Sequence, residues 1–112
     1  MYTREEIDAI KKKWIDKAKE YKKCCDSTKK KADELNGNVT DELREEDKRN
    51  NKIYKDVLRF KKEYQDACEE NLNEKLSQIT DPLEKEMIEK RFRDKIVGND
   101  DYDDIMNELE LW

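Results

Sequence analysis

The chain has 112 residues, of which 49% are charged and 34% hydrophobic, and its net charge at pH 7 is −5. A domain of this length buries only about two thirds of the surface that its unfolded chain exposes, so its core must come from strictly periodic apolar positions. No segment approaches the roughly 20 apolar residues that span a bilayer, and the N-terminus lacks the apolar core of a signal peptide. We therefore expect a cytoplasmic protein without a membrane partner.

The first predicted helix covers about residues 4–35. Thr3 and Glu6 form a T-x-x-E capping box at its start. The segment Asn36-Gly37-Asn38 ends it, because these residues tolerate left-handed backbone angles. One face carries apolar or near-apolar side chains at helical spacing: Ile7, Ile10, Trp14, Ala18, Tyr21, Cys25, Ala32 and Leu35.

A second long helix, about 41–79, begins after the N-cap residue Thr40. The segment 44–52 contains no apolar residue, so we expect a solvated overhang or a local break there. The remaining helix carries one broad stripe, made of Leu43, Tyr54, Val57, Leu58, Lys61, Tyr64, Cys68, Leu72, Leu76 and Ile79.

Two short helices follow. Asp81 and Pro82 predict the start of a helix over 82–96, and a fourth helix is expected over 101–111 after the break at Gly98. Their inward side chains are predicted to be Leu83, Met87, Ile88, Phe92 and Ile96, and then Tyr102, Ile105, Met106, Leu109 and Trp112. The predicted fold is all-α, with residues 1–112 as a single domain in which a long antiparallel helical hairpin precedes two short helices packed at one end.

The sequence offers little for catalysis. It has no histidine, and its two glycines lie too far apart for a phosphate-binding loop. Three cysteines without histidine do not complete a closed zinc site. The hairpin register places Cys24 and Cys25 near residues 51–53 and Cys68 near Asp8, which argues against an internal disulfide. We expect no catalytic, cofactor or metal site.

Charge is unevenly distributed. Residues 4–31 hold eleven Lys and Arg against six acids, whereas residues 99–112 hold six acids and no base. The lysine runs are interspersed with acids, which favours ion pairing on the helix surface over direct nucleic-acid binding. Acidic side chains near the N-terminus of a helix interact favourably with its dipole, which is one explanation for the acids of residues 99–112. The alternative is that these acids bind a basic surface of another protein. The candidate partner-binding residues are Asp100, Asp101, Asp103, Asp104, Glu108, Glu110, Asp41, Glu42, Glu45 and Glu46.

Residues 76–112 resemble region four of the sigma-70 family, most closely the small phage regulators of that type. The matching motifs, in order, are Asp81-Pro82, Leu83, Ile88, Arg91-Phe92 and Tyr102-Asp103-Asp104-Ile105. They span about a third of the chain. The loop from Lys95 to Asp101 is longer than in the family, and the recognition helix, which would follow Trp112, is missing. The resemblance implies a helix-turn-helix scaffold without the element that reads bases, so either DNA reading has been lost or the natural chain extends further.

Three hypotheses of function follow from these observations. The first is a non-enzymatic phage or mobile-element inhibitor, anti-CRISPR-like, whose acidic helices dock on the basic surface of a nucleic-acid-handling protein. The second is a sigma-like transcriptional regulator that binds DNA through a partner chain or through the lysines of the first helix. The third is a structural helical hairpin that self-associates as a homodimer.

Overall fold

The computed structural model describes all 112 residues, 1–112, and contains helices but no strands. The all-α prediction is confirmed, as is the helical hairpin formed by the first two helices. No helix combines the length and the apolar character that a bilayer span requires. The four helices are α1 (Arg4–Glu34), α2 (Asp41–Ser77), α3 (Pro82–Ile96) and α4 (Asp103–Glu108).

Local capping chemistry sets the helix starts. The Thr3 amide donates to Glu6 Oε1 and the Glu6 amide donates to Thr3 Oγ1, both at 3.2 Å, so the capping box is confirmed. Thr40 Oγ1 accepts from the Leu43 amide at the start of α2. The Asp81 carboxylate accepts from the Leu83 amide at the start of α3. In each case a side-chain oxygen satisfies an amide that has no partner inside the helix.

The chain reverses between α1 and α2 through residues with left-handed backbone angles, as predicted. Asn36 and Gly37 have φ angles of 51° and 82°. The Gly37 amide donates to the Ala32 carbonyl at 3.3 Å, which closes the last turn of α1.

Two predicted boundaries were wrong. α2 ends at Ser77 rather than at residue 79, because the Gln78 and Ile79 amides make the tighter three-residue bonds of a final turn. α4 has six residues instead of the eleven expected for 101–111. Its C-terminal side reverses at Glu110, which has a φ of 54°, while the Leu111 amide donates back to the Met106 carbonyl.

The chain forms two compact units. The terminal unit comprises Met1–Ile10 and Lys61–Trp112, and the turn unit comprises Lys11–Phe60. In the terminal unit, α3 and α4 pack with the first turns of α1 and the second half of α2. Most fully buried side chains of the protein lie in this unit: Ile7, Tyr64, Cys68, Asn71, Leu72, Phe92, Ile105, Met106 and Leu111.

The outer face of α3 corrects a prediction. Leu83 and Met87 were expected to point inward, yet they are 64% and 58% exposed. Phe92 is the residue of α3 that is buried, and it meets the ring of Tyr102 edge-on at 5.8 Å. Leu111, which the sequence pattern did not single out, is fully buried instead.

The segment 44–52 is neither an overhang nor a break. α2 continues through it, and the turn unit buries polar side chains there. Glu46 Oε1 accepts from Lys31 Nζ at 3.0 Å, and Asn50 Nδ2 donates to Thr28 Oγ1 at 3.0 Å. The Thr28 hydroxyl in turn donates to the Cys24 carbonyl. The prediction failed because polar pairs across the hairpin replace the apolar contacts that the segment lacks.

Other expectations for α2 were also wrong. Tyr54 and Leu58 are 44% and 40% exposed, whereas Ile53 and Val57 face inward. The helix is therefore rotated relative to the predicted stripe in this part of the turn unit. Tyr54 still packs against Tyr21, with 5.2 Å between the ring centroids.

We name the buried side chains of Thr28, Glu46 and Asn50 the polar layer of the turn unit. Its effect on the free energy of unfolding can be measured. Glu46 Oε2 and Asn50 Oδ1 are buried without hydrogen-bond partners. We expect the double substitution Thr28→Val/Asn50→Leu to raise the free energy of unfolding by about 1 kcal/mol, because it replaces both hydrogen-bonding partners and removes one unsatisfied oxygen. Urea denaturation followed by circular dichroism measures this. Asn51→Leu, at the exposed neighbouring position, is the control, and a loss of stability in the double variant would contradict the prediction.

Asn71 joins distant parts of the terminal unit. Its Oδ1 accepts from the Tyr2 amide at 2.8 Å, while its Nδ2 donates to the carbonyl oxygens of Tyr2 and Leu111 at 2.9 and 2.8 Å. The side chain is fully buried. It therefore ties the start of α1 and the last residues of the chain to the C-terminal part of α2.

We expect Asn71→Ala to lower the free energy of unfolding by about 2–4 kcal/mol, because it removes three hydrogen bonds and leaves buried backbone groups unsatisfied. The exposed Asn73, two residues further along α2, offers a matched control. Asn73→Ala should change stability by no more than about 0.5 kcal/mol. Equal effects of the two substitutions in urea denaturation would rule out this role of Asn71.

Candidate functional site

The cysteines and the largest concavity on α2 are the first places to consider for a chemical site. Cys24 and Cys25 are half-buried, Cys68 is buried, and all three are free thiols. No three cysteine or acidic side chains are grouped to hold a metal ion. A concavity of about 410 Å³ on α2 is an open groove lined by polar and charged side chains: Glu45, Lys48, Arg49, Asn51, Lys52 and Lys55. The candidate residues predicted from the sequence are all acids.

Tyr64 organises the acidic segment before α4. Its hydroxyl lies 2.5 Å from Asp103 Oδ1 and 3.0 Å from Asp101 Oδ1, and it accepts from the Tyr102 amide at 2.9 Å. Asp101 Oδ1 also accepts from the Asp103 amide. Two of the predicted partner-binding acids, Asp101 and Asp103, are thus also engaged in holding this segment onto α2.

The environment of Tyr64 keeps its hydroxyl protonated. Burial raises the pKa of Tyr64 far above its usual value, and the bond to the Asp103 carboxylate raises that pKa further. Burial also raises the pKa of Tyr102, with a smaller contribution from Glu69. The phenol therefore keeps its proton above the pH at which a free tyrosine ionises, and it can donate that proton to one of the two carboxylates.

The other acids of this region point to solvent. Asp100 is 67% exposed and lies 3.4 Å from Lys61 Nζ, and Glu108 is 42% exposed and pairs with Arg91. Asp104 and Glu110 are exposed and form no ion pair. Isolated pairs at a surface contribute little, so these carboxylates remain able to bind a cation from outside. We name Asp100, Asp104, Glu108 and Glu110 the C-terminal acidic surface.

The acids at the start of α2 form a second surface. Asp41, Glu42 and Glu45 have side chains between 74% and 100% exposed, in contact with Arg44, Lys31 and Lys48 at 3.4 to 3.7 Å. We name these three residues the acidic turn surface. Glu46 was predicted to belong to it, but its side chain is only 8% exposed and faces Lys31. That prediction was wrong because the hairpin packs Glu46 inward.

Net charge distinguishes the two units. The terminal unit holds 9 Lys and Arg against 19 Asp and Glu, a net charge of −10. The turn unit holds 16 Lys and Arg against 11 Asp and Glu, a net charge of +5. The C-terminal acidic surface therefore lies in a strongly anionic unit, whereas the acidic turn surface belongs to a cationic one.

The chain matches no protein-family model, no curated protein and no solved structure. The resemblance of residues 76–112 to region four of the sigma-70 family accordingly stays a prediction.

Sequence reasoning missed Asn71 and the role of Tyr64. Both positions carry a signal: Tyr64, Cys68, Asn71 and Lys75 follow one another at spacings of three and four, so Asn71 lies on the buried stripe. A polar residue on such a stripe predicts a buried hydrogen-bond partner. The spacing does not identify those partners, which for Asn71 are backbone groups near the two ends of the chain.

Tyr64→Phe tests directly whether the Tyr64 hydroxyl holds the acidic segment on α2. We expect it to lower the free energy of unfolding by about 1–3 kcal/mol, because the buried Tyr102 amide loses its acceptor and the two aspartates lose the single O–H proton that they share. Tyr54→Phe, at an exposed tyrosine of the same helix, is the matched control and should be nearly neutral. The measurement is thermal or urea unfolding of both variants, and a neutral Tyr64→Phe would show that the hydroxyl does not hold the loop.

Proposed function

We propose that the protein acts without catalysis, by docking its C-terminal acidic surface on a basic surface of another protein. The observation that supports this most directly is the exposure of Asp104 and Glu110, two carboxylates that form no ion pair within the chain. They lie in a unit with a net charge of −10. Charge complementarity of this kind steers association and selects partners by sign.

The chemistry of such a partner can be stated. Proteins that hold nucleic acid present clustered lysines and arginines to the phosphate backbone. A helix and loop carrying several exposed carboxylates would compete for such a surface. Occupying the groove of a nuclease or polymerase would inhibit it, which is the mode of action that we propose for a phage or mobile-element inhibitor of the anti-CRISPR kind.

The acidic turn surface is the weaker candidate for this contact. Its three acids each lie near a basic side chain of their own unit, and that unit is cationic overall. A partner with a basic surface would therefore meet repulsion as well as attraction there.

The net charge of +5 on the turn unit favours a second function, binding of nucleic acid through the lysines of α1. Its cations are interspersed with acids, as the contact of Lys17 with Glu20 at 3.0 Å illustrates. Such neighbours reduce the number of phosphates that the surface neutralises. Docking on a protein through the terminal unit therefore remains our first proposal.

The proposal predicts the effect of neutralising two carboxylates. Asp104→Asn/Glu110→Gln should weaken binding to a purified basic nuclease or polymerase roughly tenfold at low salt, because these side chains would face the partner's cations. Binding is measured by biolayer interferometry over a panel of such enzymes at increasing salt, where the affinity of the unsubstituted protein should fall.

Glu86→Gln/Glu89→Gln on α3 is the matched control, since it removes the same charge from exposed positions of the same unit. An equal loss in the control, or binding that does not respond to salt, would contradict docking through the C-terminal acidic surface.

A mobility-shift assay on duplex DNA at low salt tests the second function, binding of nucleic acid through the turn unit. Retardation that survives neutralisation of Asp104 and Glu110 would assign the activity to the turn unit.

A further inference from the structure

The outer face of α3 is apolar at its centre and uncovered. Leu83 and Met87, four residues apart on one face, are 64% and 58% exposed, whereas Phe92 on the opposite face is fully buried. A shallow groove of about 300 Å³ runs along the exposed side, lined by Asp81, Leu83, Glu84, Met87, Ile88 and Arg91. Two large apolar side chains therefore adjoin one groove.

Opposite charges flank this apolar centre. At about 100° per residue, Glu84 and Lys90 lie roughly 60° to either side of Met87, each within two turns of it. Both are exposed, and neither forms an ion pair within its own chain. The acid lies toward the N-terminus of α3 and the base toward its C-terminus, so the charge on this face changes from negative to positive at Met87.

We infer that this face binds the same face of a second copy, with the two α3 helices antiparallel and the two-fold axis at Met87. Residues equally distant from 87 then meet across the axis. Glu84 of each copy lies opposite Lys90 of the other, and Leu83 packs on the aliphatic stem of Arg91. The two methionines meet at the centre, where their flexible side chains adapt to each other.

Charge complementarity favours a second copy in this orientation. A two-fold contact requires a surface that complements itself, and the reversal of sign about Met87 meets that requirement. A parallel arrangement would instead oppose Glu84 to Glu84 and Lys90 to Lys90. Antiparallel helices also place the N-terminal end of one dipole beside the C-terminal end of the other.

The size of the contact sets its strength. A single face of the 15-residue α3 buries less than the roughly 1,200 Å² of a standard stable interface. The dimer is therefore weak and reversible, and it forms at high protein concentration. It uses none of the carboxylates of the C-terminal acidic surface, although Arg91, on whose stem Leu83 packs, pairs with Glu108 of that surface.

Sedimentation equilibrium of the full chain, up to about 1 mM, tests the inference. A reversible monomer–dimer equilibrium is expected. Met87→Glu, which places two carboxylates at the axis, should weaken the dimer at least roughly tenfold. Glu84→Lys and Lys90→Glu should each weaken it, because each opposes like charges twice. The double substitution Glu84→Lys/Lys90→Glu should restore dimerisation, since it exchanges the two signs.

Val97→Glu is the control, because Val97 is 78% exposed just beyond the end of α3 and undergoes the same change from apolar to acidic. It should leave the dimer unchanged, and circular dichroism should show that every variant is folded. A protein that stays monomeric at about 1 mM would overturn the inference. So would a dimer that is insensitive to Met87→Glu, or a double charge exchange that fails to recover association, which would indicate another surface or another orientation.

Discussion

The carboxamide of Asn71 is the contact on which the terminal unit depends. One buried side chain uses its oxygen and both of its amide hydrogens, and it binds the backbone of Tyr2 and of Leu111. An apolar residue at this position would leave those backbone groups buried without partners. The Met1 ammonium lies 2.7 Å from Glu74 Oε2 on the same part of α2. The Arg4 guanidinium lies 5.0 Å from the centre of the Trp112 ring, so the two ends of the chain also contact each other.

Tyr64 divides the acidic C-terminal segment into two groups with different roles. Asp101 and Asp103 lie within hydrogen-bonding distance of its hydroxyl, which holds the start of α4 on α2. Asp104 and Glu110 remain in solvent. The phenol that engages these two carboxylates also positions the neighbouring acids, because α4 begins at the bonded residue Asp103.

A small core explains both the polar layer of the turn unit and the uncovered face of α3. With 34% hydrophobic residues, the chain cannot cover every helix face with apolar contacts. In the turn unit, Thr28 with Asn50 and Lys31 with Glu46 take the place of apolar pairs. In the terminal unit, α3 buries Phe92 and leaves Leu83 and Met87 outside. A second copy of the chain would cover them.

The sequence by itself determined the all-α class, the helix starts at the capping box of Thr3 and at Asp81, and the reversal at Gly37. These features depend on contacts within five residues, so the local sequence contains them. Only the tertiary structure decided that Glu46 is buried, that Leu83 and Met87 are exposed, and which aspartates Tyr64 holds. Helical spacing predicts the face of the helix on which a residue lies. Whether a polar side chain on that face is buried depends on a partner that lies far away in the chain.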